Sequence, residues 1–132
     1  MVPRPELLER IERAFQVTPI VTLLGPRQCG KTTIARMIAQ KNGAAIFDLE
    51  DQADNAALAN PKLALSSKHG LIIIDEIQHR PELFPALRVL VDRPDNAARF
   101  LLLGSASPML VRGVSETLAG RTSFVDMAGF TL

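Results

Sequence analysis

Gly25-Pro26-Arg27-Gln28-Cys29-Gly30-Lys31-Thr32 fits the pattern G-x-x-x-x-G-K-[ST] at every fixed position, and no other stretch limits the fold of this chain so sharply. The pattern carries chemistry only between a strand and a helix. Ile20, Val21, Leu23 and Leu24 lead in as a short apolar run, and Ile34 and Ile38 follow four apart, as on one face of a helix that Asn42-Gly43 ends. A loop so placed curls with successive backbone N–H groups pointing inward, and the helix start adds the positive end of its dipole. Polyphosphate is the expected ligand. Gly25, Pro26, Arg27, Gln28, Cys29 and Gly30 would form the curl, and Lys31 would reach the β- and γ-phosphates as a point charge. The Thr32 hydroxyl would ligate the bridging magnesium ion, and Thr33 would neighbour the α-phosphate. Cys29 occupies a variable position and reads as a tolerated small residue rather than a redox switch.

A phosphate loop needs a partner for its metal, and Leu71-Ile72-Ile73-Ile74-Asp75-Glu76 supplies one. Four apolar residues, three of them β-branched, read as a central parallel strand covered on both faces. The two acids then stand at its carboxyl end, where open α/β sheets bind ligands. Asp75 would hold magnesium directly or through water, and Glu76 would orient the water that attacks the γ-phosphate. A polar sensor of that phosphate is expected just past the next strand, where Ser105 and Ser107 both qualify. Arg121 could reach a neighbouring subunit's nucleotide, with Arg112 competing for the role and an ordinary surface arginine the plain alternative. His79 reads as a surface histidine near the acids, His69 has no nameable partner, and no Cys/His metal cluster is evident. The guanine-reading pattern N-K-x-D is missing, so adenine is the default base.

Strands and helices alternate around these motifs. Leu7, Leu8, Ile11 and Phe15 mark one face of a first helix from Pro5, with Glu6, Glu9, Arg10, Glu12 and Arg13 on a solvated side. Ala44 to Leu49 reads as a second strand, with one or two short helices between Gln52 and His69. Pro81 is expected to open a helix carrying Leu83, Leu87, Leu90 and Val91. Phe100 to Leu103 reads as a strand, Ser115 to Ala119 as a short helix, and Thr122 to Met127 as a last strand. The result is an α/β sheet with right-handed crossovers.

The 132 residues suffice for one domain with its own core. A net charge of +1 and the lack of Trp and Tyr argue against a nucleic-acid surface here, and no apolar run approaches the roughly 18 residues of a membrane span. One cysteine and no secretory signal make the expected location cytoplasmic.

Gly25 to Thr32, Asp75-Glu76-Ile77-Gln78, Leu102 to Pro108 and Leu118-Ala119-Gly120-Arg121 together resemble the AAA+ superfamily ATPase domain. More narrowly, the chain is similar to prokaryotic ATP-binding proteins that carry this domain first and a separate C-terminal domain after it. The resemblance runs from Arg10 to Phe130 and implies a three-layer P-loop NTPase fold with a parallel five-stranded sheet in the order 5-1-4-3-2. It also implies a sensor at Ser105 or Ser107, an arginine finger at Arg121 acting between subunits of a homo-oligomer, and ATP and Mg2+ as cofactors. The usual helical lid is not expected, because the sequence stops at Phe130-Thr131-Leu132, so residues 1–132 are expected to be a shortened ATP-binding core. Magnesium-dependent ATP hydrolysis coupled to motion of an attached domain or partner is the leading function. A nucleotide-gated switch and a small-molecule kinase are the alternatives, and the sequence does not choose between a protein and a DNA partner.

Overall fold

Apolar runs too short for helices lie side by side as strands in the computed structural model, which describes residues 4–25, 30–65 and 70–127. The strands β1 (Ile20–Leu24), β2 (Ala45–Asp48), β3 (Gly70–Asp75), β4 (Ala98–Gly104) and β5 (Thr122–Asp126) form one sheet in the order β2-β3-β4-β1-β5. Every pairing is parallel. Read from the opposite edge, this is the expected 5-1-4-3-2.

Helices α1 (Arg4–Phe15), α2 (Lys31–Asn42), α3 (Gln52–Ala57), α4 (Pro61–Leu65), α5 (Leu83–Val91) and α6 (Pro108–Thr117) supply the outer layers. Alternation along each strand sends side chains to two cores. Val21, Leu23, Ile73, Leu101, Leu103 and Val125 pack with Leu7 and Ile11 of α1 and with Ile34, Ala35 and Ile38 of α2. On the other face Ile20, Ile72, Ile74, Phe100 and Leu102 meet Leu83, Leu87 and Leu90 of α5 and Leu110 and Val114 of α6. Both faces of β3 are therefore covered, as its unbroken apolar run requires. The charged side of α1 is exposed, as its spacing predicts.

Two helix starts differ from the sequence-based expectation, and one short element was not anticipated. The last helix begins at Pro108 and not near Ser115, because Ser107 caps it: its Oγ accepts from the Leu110 N–H at 3.1 Å, and proline sits in the first turn, where its missing N–H costs nothing. Pro81 does not open α5. It belongs to the preceding turn, where its carbonyl accepts from the Phe84 N–H at 3.1 Å. Asp75-Glu76 is followed by a 3-10 turn, Ile77–His79, anchored by the fully buried Ile77.

Candidate functional site

Strand order decides which carboxyl ends share a rim. Leu24 is in register with Gly104, and Ile74 with Leu102, so β1 and β3 end on either side of β4. Gly25 is tied to that rim, its N–H donating to the Gly104 carbonyl at 3.2 Å. At Gly30 the backbone turns into α2 with φ 93°, a left-handed conformation that glycine adopts without penalty. Pro26, Arg27, Gln28 and Cys29 lie outside the described residues.

Lys31 is the first residue of α2, and its side chain reaches back to Gly25. It is buried, and Nζ donates to the Gly25 carbonyl at 2.6 Å. Thr32 points across the rim and donates through Oγ1 to Asp75 Oδ2 at 3.0 Å, joining two residues 43 apart in sequence. Thr33, one residue further along α2, is exposed. Asp75 Oδ1 accepts from the Glu76 N–H at 2.8 Å.

Asp75 is buried, and that burial pushes its carboxyl above the usual range. The hydrogen bond from Thr32 pulls it partly back, and the charge of Glu76 pushes it up again. The folded state thus keeps this proton to higher pH than the unfolded chain does. Stability falls as pH rises through the interval between the two pKa values, because the folded form then carries a poorly solvated carboxylate. A divalent cation would remove that penalty, and the hydroxyl of Thr32 beside the carboxylate of Asp75 is an oxygen donor set suited to a hard ion such as magnesium.

Glu76 has φ 57° and ψ 49°, and among the described residues it is the one non-glycine with positive φ. Such a conformation costs on the order of 1 kcal/mol and clusters at functional sites. Its carboxylate accepts from Gln78 Nε2 at 2.5 Å. Glu50, Glu76 and His79 also converge, their ligand atoms all within 4.8 Å of one another, and His79 Nε2 lies 3.8 Å from Glu50 Oε2. No pattern in the sequence signalled this grouping, because Glu50 follows β2 and the other two follow β3. Gln78 stood in the sequence only as part of the D-E-I-Q resemblance, with no role attached.

The end of β4 is packed tightly against this turn. A Cβ on Gly104 would fall 2.6 Å from Leu110 Cδ2, 3.0 Å from Ile77 Cγ2 and 3.1 Å from Gln78 Oε1. Gly104→Ala is expected to destabilise the fold by about 1–3 kcal/mol, read as a lowered urea midpoint with an unchanged slope. An unmoved midpoint would show that the turn yields freely.

A family model described as an AAA domain matches residues 17–132. The chain belongs to the AAA domain family. This AAA domain is 51% identical over all 132 residues to an uncharacterized protein of Mycobacterium bovis and, equally, to one of Mycobacterium tuberculosis. It spans 30% of the length of each. Among solved structures it is similar to the P-loop NTPase domain of the sigma-54 transport activator from E. coli, with a TM-score of 0.54 over 93% of this chain and 96% of that one. At 18% identity that likeness concerns the fold alone. Membership of the AAA domain family points to nucleotides as the ligand class.

The remaining residues singled out from sequence fall in different places on the AAA domain. Ser105 is half-buried directly after β4, whereas the Ser107 hydroxyl is engaged in capping α6. Arg121 precedes β5 at the opposite end of the sheet from the phosphate loop, since Thr122 pairs with Ile20. Its Nε and Nη2 grip Asp92 at 2.8–3.0 Å and Nη1 donates to the Ala119 carbonyl. These hydrogen bonds hold the Asp92 carboxyl below its usual range. Arg112 is exposed on α6, and His69 lies outside the described residues. Among the described residues no helix is long and apolar enough to cross a membrane.

Proposed function

We propose that this AAA domain binds ATP and hydrolyses it with magnesium, and that the rim formed by β1, β4 and β3 is where it does so. The observation that carries this reading is the Thr32–Asp75 hydrogen bond at 3.0 Å, because it joins the phosphate loop to the carboxyl end of β3 at a carboxylate whose burial calls for a cation. In this reading Lys31 exchanges the Gly25 carbonyl for oxygens of the β- and γ-phosphates, a trade of a neutral for a charge-assisted contact. Thr32 and Asp75 would hold the metal, which when bound would neutralise charge on the phosphates. Glu76 accepts a proton from the attacking water as its oxygen bonds to the γ-phosphorus and the bond to the β-phosphate breaks, leaving ADP and inorganic phosphate. Ser105 and Ser107 are both sensors in this reading, since Ser107 Oγ accepts from the Leu110 N–H and keeps its own O–H to donate.

Arg121 acts on a neighbouring subunit's nucleotide only after leaving Asp92, which makes that ion pair the natural restraint on a trans arginine. Coupling to a further domain or partner is part of the proposal, since the relatives extend well beyond the matched region. The cytoplasm is the compartment where such a protein meets Mg-ATP.

An equilibrium ATP titration with magnesium, and again with excess chelator, tests the site without presuming a biological task. Magnesium is expected to tighten ATP binding by roughly tenfold or more. Steady-state release of inorganic phosphate should depend on the metal in the same way. Equal affinity with and without magnesium would remove Thr32 and Asp75 from the site.

A further inference from the structure

Gln78 is half-buried in the 3-10 turn after β3, and its two amide atoms fare very differently. Nε2 donates to Glu76 Oε2 at 2.5 Å, while Oε1 is buried with no hydrogen-bond partner among the described residues. That oxygen lies against the backbone of Gly104, 3.1 Å from where a Cβ would stand. A buried acceptor left without a donor is unfavourable, so an apolar side chain of similar shape would serve the packing as well or better. What an apolar side chain cannot do is donate to a carboxylate.

Glu76 has particular need of such a donor. It stands in a strained backbone conformation, with the Asp75 carboxylate adjacent and the Glu50 carboxylate and His79 imidazole within 4.8 Å. Repulsion from both acids works against holding its carboxylate in one place. The amide counters that effect, and packing against Gly104 keeps the amide fixed.

We propose that Gln78 is a positioning residue for hydrolysis, holding the Glu76 carboxylate in the orientation from which it takes the proton of the attacking water. This rests on the reading of Glu76 as that base. Gln78 itself touches neither nucleotide nor water; it acts through Glu76.

The test is a double-mutant cycle on the full chain, measuring kcat, ATP affinity and thermal midpoint for Gln78→Met, Gln78→Glu, Glu76→Gln and the Gln78→Met, Glu76→Gln pair. Gln78→Met keeps the volume and removes both amide atoms, and Gln78→Glu keeps the shape but sets a carboxylate oxygen where Nε2 stood. Both single variants are expected to lower kcat by roughly tenfold or more, the loss of one hydrogen bond to a charged group. ATP affinity should stay within about twofold, and the thermal midpoint of Gln78→Met should hold or rise, because an orphaned acceptor is gone. In the Glu76→Gln background Gln78→Met should change kcat by less than about twofold, the non-additivity of residues acting as a unit.

A purely structural role would instead lower the thermal midpoint and weaken ATP binding in step with kcat, and that result would overturn the proposal. Undiminished kcat in both Gln78 variants, with Glu76→Gln impaired, would overturn it while leaving the base in place. Undiminished kcat in Glu76→Gln would remove the base, and Gln78's role with it.

Discussion

Lys31→Ala is expected to weaken ATP binding by on the order of a hundredfold, with little loss of fold stability. The side chain is buried with Nζ on the Gly25 carbonyl, and under the proposed function its charge is what meets the β- and γ-phosphates. Removing it takes the lysine charge from the proposed phosphate site, and an anion bound there loses a contact worth about 1.5–3 kcal/mol. Alanine is the best helix former at the start of α2, which offsets the lost hydrogen bond to Gly25. Isothermal titration calorimetry with Mg-ATP, paired with thermal unfolding, separates lost binding from lost structure. Wild-type affinity in the variant would show that the loop does not grip phosphate.

Glu76→Gln should leave ATP binding within a few-fold of wild type while steady-state phosphate release falls by about a hundredfold or more, the range for loss of a positioned base. The substitution retains size and an oxygen to accept from Gln78, so the turn at Ile77–His79 keeps its packing. What disappears is the ability to take a proton. Glutamine also relieves the crowding of negative charge around Asp75, which Glu76 pushes upward in pKa, so binding is not expected to suffer. Unchanged phosphate release would assign the proton to another acceptor. A fall in binding as steep as the fall in rate would mean that Glu76 supports the site's structure and not its chemistry.

Much of this was legible from sequence because it is local. The run from Leu71 to Asp75 is too short for a helix and too apolar for an edge strand, and it becomes β3, buried on both sides. Ile34 and Ile38, four apart, both reach the core beneath α2. Boundaries set by a single capping hydroxyl were harder. Ser107 read as a sensor on a par with Ser105, and only its bond to the Leu110 N–H shows that it starts α6 seven residues ahead of the expected place.

The amino-acid sequence alone determined where a phosphate loop can form and which strand ends in paired carboxylates, since glycine at a left-handed turn and an apolar run of fixed length act within a few residues of themselves. The tertiary structure decided which distant groups meet: Thr32 with Asp75, Gln78 with Gly104, and Arg121 with Asp92. Those pairs depend on placing β4 between β1 and β3 and on the hand-over from strand to 3-10 turn. Such choices are made by summed burial over the whole sheet, and the spacing of residues along the chain does not encode them one pair at a time.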